Sequence, residues 1–127
     1  MSGIPRSLLV AAGGLVGCVL RYWLSGVVQR VGDGSFPTGT LAVNVLGSFL
    51  IGAVMALSLE RGAIDDELRI LLTTGFCGGF TTMSTFSYET LTLLRDGEMA
   101  IALGNVGGTL VACLGAAWLG GVVGRLL

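Results

Sequence analysis

The chain of 127 residues has no histidine and no lysine, and charged side chains make up only 12% of it. Without imidazole there is no histidine-based general base and no His-ligated metal site. The basic residues are seven arginines against eight carboxylates, a net charge of −1, so no basic excess exists to hold nucleic acid. An enzyme is the least supported class, because Glu89 and scattered hydroxyls make neither an acid–base pair nor an activated nucleophile. Cys18, Cys77 and Cys113 are widely spaced, form no C-x-x-C and sit in apolar segments; they read as small apolar side chains rather than metal or redox groups. What is abundant is hydrophobic residues, at 53%. That proportion, with so little charge, lies outside the range of soluble domains and describes one membrane domain over residues 1–127. Residues 1–3 are too short for the charged start of a secretion signal, so the first apolar run is expected to be a retained span.

Four apolar runs follow in order, at about 8–28, 38–59, 67–94 and 99–123. Each reaches the roughly twenty residues that cross a hydrocarbon core. The first carries Gly13 and Gly17, a small-xxx-small face for close helix approach, with Arg21 one turn further on. Arg21 either snorkels to the headgroups or faces a water-filled vestibule where it attracts anions. A polar turn at 29–38 contains Pro37 and ends the first helix. In the second run Thr40, Asn44 and Ser48 stack on one face. Asn44 is either an interhelical hydrogen-bonding group or a pore-lining donor. Asp65 or Asp66 is expected to cap the third segment. In the fourth run Asn105, Thr109 and Cys113 repeat at four-residue intervals. Beside them, Gly104 with Gly108 and Gly120 with Gly124 make two G-x-x-x-G pairs for helix packing. Arginine counting gives a weak orientation bias: Arg6, Arg61, Arg69 and Arg125 lie on one side, Arg30 and Arg95 on the other, with Arg21 near that second face. A chain so balanced can insert both ways and pair as an antiparallel dimer.

The third run is organised differently. Residues 75–89, GFCGGFTTMSTFSYE, combine Gly75, Gly78 and Gly79 with five hydroxyls, Phe80, Phe86 and Glu89. Glycine at that density loosens a helix. Non-helical backbone at bilayer depth persists only where protein buries it or where it lines a wet cavity. Two half-helices, about 67–76 and 84–94, are therefore expected around an unwound 78–83, with free carbonyls facing free amides across the gap. Hydrogen-bond donors from Asn44, Ser84, Thr85, Asn105 and Thr109, without a fixed lysine, suit a small hydrated anion that must also leave easily. Ring edges, positive in their quadrupole, can touch such an anion without trapping it.

Two stretches, PTGTLAVNVLGS at 37–48 and TTGFCGGFTTMSTFSYET at 73–90, resemble the signature regions of the Fluc (CrcB) family of small bacterial fluoride channels. The second is the more specific, and the likeness runs the length of the chain. The resemblance implies an all-α membrane protein of four transmembrane helices, the third broken, assembled as an antiparallel dual-topology homodimer in the bilayer of the inner membrane. It implies passive export of cytoplasmic fluoride through two pores, which lowers fluoride toxicity, and a structural sodium ion on the two-fold axis. Carried over by position, the pore asparagine falls on Asn44 and the sodium-binding carbonyls on Gly78 and Thr81. The paired pore phenylalanines fall on Met83 and Phe86, flanking Ser84 and Thr85. The fourth-helix polar track falls on Asn105, Thr109 and Cys113, the third-helix glutamate on Glu89 and the vestibule arginine on Arg21. Three positions depart from the family: Met83 replaces a ring, Asn105 an aromatic hydroxyl and Cys113 a serine, so conduction is expected to persist at an altered rate. A small proton-coupled multidrug exporter has a similar layout but keeps an acid in its first helix, where this chain has only Arg21. A silent membrane subunit is the remaining alternative.

Overall fold

The computed structural model describes residues 3–32 and 34–127, and among these it contains helices joined by short turns. We label the helices α1 (Arg6–Gly32), α2 (Thr38–Glu60), α3 (66–80), α4 (Met83–Arg95) and α5 (Met99–Leu126). Three of them, α1, α2 and α5, are long and apolar enough to cross a membrane, with mean hydropathies of 1.6, 2.0 and 1.8. The protein is thus a multi-pass, all-helical membrane protein among its described residues. Their outward faces carry large apolar residues such as Leu15, Trp23, Val111 and Trp118, which suits lipid rather than water. Neither α3 nor α4, at 13 residues for the latter, has the roughly twenty residues of a span by itself.

Helix ends follow local chemistry. Asp65, of the two candidate caps, accepts a hydrogen bond from the Leu68 N–H at 2.8 Å, with Asp66 and Glu67 in the first turn, where negative charge meets the helix dipole. In the turn before α2, the Gln29 amide donates to the Phe36 carbonyl and accepts from the Gly39 N–H. This clip returns the chain sharply enough that Gly39 rests against the Ser25 carbonyl, where a Cβ has no room. Gly97, at φ +80°, makes the tight turn between α4 and α5.

Glycine also sets the packing. The largest interhelical contact is α2 with α5. There Gly52 lies against the Ala117 carbonyl and Gly120 against the Phe49 carbonyl, backbone on backbone. Gly124 meets Ala53 O at 2.6 Å from where its Cβ would be. The other expected pair on this helix behaves differently: Gly104 and Gly108 face open space. The second close contact joins α1 to α3. Gly13 and Gly17 of α1 approach the backbone of Leu71, Phe76 and Phe80, while Gly75 and Gly79 of α3 approach Val10, Gly13 and Gly14.

This packing explains where the third segment breaks. Unwinding was expected over 78–83, but Gly78 to Phe80 remain helical and only Thr81 and Thr82 leave the helix. Gly75 and Gly79 serve helix–helix contact, and the helix widens into π turns over Leu71–Cys77. The two β-branched residues adopt extended backbone, at ψ 162° for Thr81 and ψ 118° for Thr82, the conformation such side chains favour. Thr82 then caps α4: its hydroxyl oxygen accepts from the Thr85 N–H at 3.2 Å.

Candidate functional site

The break at Thr81 and Thr82 is held from two sides. Asn44, 9% exposed on α2, bonds both backbone groups of Thr82. Its Nδ2 donates to the Thr82 carbonyl at 3.0 Å, and its Oδ1 accepts from the Thr82 N–H at 2.8 Å. An extended residue inside a helical layer exposes one donor and one acceptor, and an amide side chain carries one of each on separate atoms, so it can meet both at once. From α1, Arg21 Nε donates to the Gly79 carbonyl at 2.8 Å. Neither expectation for Arg21 anticipates this: it is tied to the backbone beside the break. Arg21→Met, which keeps the apolar stem, is expected to lower stability by about 1.5–3 kcal/mol, the worth of a hydrogen bond to a charged group. Earlier loss of the monodisperse gel-filtration peak on heating in detergent is the measurement; an unchanged profile would show that this bond contributes nothing.

Alongside the break lies a cavity of about 470 Å³ between α2, α3, α4 and α5. It gathers Asn44, Met83, Phe86, Thr109 and Cys113 from the expected path, together with Gly78 and Thr81. Ser48, on the Asn44 face, also lines it, as do Thr73 and Thr82. Most of the remaining wall is apolar, from Ile51, Leu110, Leu114 and Ala117. A small anion entering would meet few hydrogen-bond donors set in a low-dielectric surround.

Other expected site residues lie outside this wall. Ser84 and Thr85 belong to the cap of α4, where the Thr82 hydroxyl donates to Thr85 Oγ1 at 3.0 Å and sits 3.3 Å from Ser84 Oγ. Asn105 is 1% exposed and stands behind Thr109. Its Oδ1 accepts from the Thr109 hydroxyl at 3.2 Å, and its Nδ2 donates to Thr90 Oγ1 at 2.9 Å. Glu89 lines a second cavity of about 380 Å³ with Gln29, Ser35, Asp96 and Glu98, and its Oε1 is shielded with no partner among the described residues. Thr90 is a participant that the sequence reading did not single out, and Thr82, one of the five hydroxyls of 75–89, was not assigned the part of a cap. Thr82 directly before the run that starts at Met83 is the available signal for a cap; nothing in the sequence distinguishes Thr90 from its neighbours.

The gap at Thr82 bears on a cation as well. In an unbroken helix the Gly78 carbonyl would accept from the Thr82 N–H four residues on. That N–H is on Asn44 instead, so the Gly78 oxygen lacks its helical donor. Neutral backbone oxygens freed in this way fit the donor set that sodium takes in discontinuous membrane helices.

The described residues thus form a helical membrane protein with a broken segment and a polar-edged cavity at the break. Its sequence matches the model of the CrcB-like protein family, Camphor Resistance (CrcB), over residues 8–121, and the chain belongs to that family. It is 52% identical to the fluoride-specific ion channel FluC of Geobacter sp. strain M21, across 98% of this chain and 100% of that one. The channels of the same name from Geotalea uraniireducens and Pelobacter propionicus are 49% and 46% identical. These alignments cover 94% and 99% of this chain, and 97% and 95% of theirs.

Proposed function

We propose that the protein is a fluoride-selective channel that lets fluoride leave the bacterial cytoplasm passively across the inner membrane. The observation carrying this reading is the likeness to fluoride channels at about half identity over nearly the whole chain. The cavity agrees with it: Asn44 and several hydroxyl side chains, Ser48, Thr73 and Thr82 among them, are set between apolar residues, a wall that can substitute for some hydration without a fixed charge to trap the ion. Met83, 69% exposed at the start of α4, takes the position of a ring edge with a flexible thioether. The multidrug-exporter alternative has no acid in α1 to couple protons, and the Arg21 guanidinium there is bonded to Gly79 O. Purified protein in liposomes loaded with fluoride and chloride provides the test. Fluoride is expected to leave while chloride stays; retention of both, or equal loss of both, overturns the reading.

In the same proposal, α3 and α4 together form a fourth crossing, and two copies pair in antiparallel fashion. Open space at Gly104 and Gly108 supports pairing, since these small residues leave room for another helix. A sodium ion between the copies would take the Gly78 and Thr81 carbonyls of each, and it would supply a fixed positive charge linking the two. Replacing sodium by N-methylglucamine throughout purification is expected to lower the melting temperature of the assembled protein; an identical melting temperature would remove the metal from the proposal. A single cysteine at Ser35, in a background without the three native ones, should label from both faces of the membrane. Labelling from one face alone would eliminate dual topology.

A further inference from the structure

Thr90 does not line the cavity, yet it fixes which way the polar residues behind the cavity donate. Its hydroxyl gives its proton to the Phe86 carbonyl at 2.8 Å. Only lone pairs then remain for Asn105, so the amide must turn its N–H toward Thr90, at 2.9 Å. Asn105 Oδ1 is thereby left facing Thr109, whose hydroxyl proton it accepts at 3.2 Å. The result is a chain of three hydrogen bonds that all run away from the cavity: Thr109 to Asn105, Asn105 to Thr90, Thr90 to Phe86. Thr109, the cavity-lining member, therefore presents lone pairs to an entering ion, which is the wrong sign for an anion.

The same three side chains have a second complete arrangement. If Thr90 turns its proton from Phe86 O to Asn105 Oδ1, the amide flips, its N–H donates to Thr109 Oγ1, and the Thr109 proton is free to enter the cavity. No side-chain group of the three loses all its partners, and the Phe86 carbonyl keeps its main-chain donor within α4. The reversal needs a group at position 90 that can both donate and accept. Asn105 and Thr109, 1% and 8% exposed, are shielded from water that would otherwise replace a missing partner.

We infer that Thr90 is a positioning residue for the anion path: a reversible hydroxyl whose rotation turns Thr109 from acceptor to donor when an anion arrives. This rests on the fluoride-channel reading and names a component of the same path. The test compares fluoride efflux from liposomes holding wild-type, Thr90→Val, Thr90→Ser and Thr109→Val proteins and the Thr90→Val/Thr109→Val double variant, each first checked for a wild-type gel-filtration profile. Thr90→Val, similar in shape but without a hydroxyl, is expected to slow efflux about tenfold, the effect of one unmet hydrogen bond. Thr90→Ser keeps both capacities and should run near the wild-type rate. The double variant should be no slower than Thr109→Val alone, because residues acting through one another are not additive. Wild-type rates for Thr90→Val, equal slowing by Val and Ser, or additive losses would each overturn the inference while the channel reading stands. A wild-type protein that does not pass fluoride would overturn both.

Discussion

Asn44→Ala is expected to stop fluoride efflux and to destabilise the protein by about 2–6 kcal/mol, because two backbone groups at the break lose their partners together. The Thr82 N–H and carbonyl each bond to this one side chain. A shielded polar group left unsatisfied costs about 1–3 kcal/mol. The extended backbone at Thr81 and Thr82 also loses the contact that selects it over continued helix. Asn44→Asp is the sharper variant. A carboxylate still accepts from the Thr82 N–H, but it sets an oxygen against the Thr82 carbonyl and places negative charge on the cavity wall, where it repels an anion. Efflux by fluoride electrode and heat-induced loss of the gel-filtration peak are the two readouts. Wild-type flux in either variant would mean that the break holds its shape by other contacts.

The second large effect concerns glycine, and it separates positions that look alike in sequence. A Cβ at Gly120 would press on the Phe49 carbonyl and one at Gly52 on the Ala117 carbonyl. Neither neighbour is a side chain that can swing aside. Gly120→Ala is therefore expected to cost at least about 1–3 kcal/mol, in the range of overpacking, and Gly120→Leu to prevent α2 and α5 from closing at all. A Cβ at Gly108 meets nothing within 4 Å. Gly108→Ala should leave the fold of the single subunit intact, and it removes glycine's helix penalty of about 0.5–1 kcal/mol. Expression level and thermal stability of the two alanine variants, measured side by side, check the contrast. Equal stability would mean that the α2–α5 backbones are not so close.

Glu89 lies away from the cavity at the break. An acid in an apolar third segment reads in the sequence as a candidate for function, but it lines the cavity of Gln29, Ser35, Asp96 and Glu98 rather than that of Asn44 and Thr109. Phe86 and Glu89, three residues apart, are neighbours on one face of α4, yet a step of one turn along the helix takes the wall from one cavity to the other. Sequence distance says little about which wall is reached.

Composition alone determined that this is a multi-pass helical protein, because so apolar a chain must satisfy its backbone within helices. The same logic made an interruption near residue 80 legible, since hydroxyls and glycines at that density have no use on a lipid-facing face. Which residues would leave the helix was decided by packing. Gly75 and Gly79 are drawn into contact with α1, so the bend falls to the β-branched pair after them, where Asn44 can reach both groups of Thr82. Arg21 on Gly79 O and Thr90 behind Asn105 are likewise products of tertiary structure. Hydrogen bonds between residues 58 or 15 positions apart depend on how helices rotate against one another, and a periodic sequence fixes each helix face but not its partner across the gap.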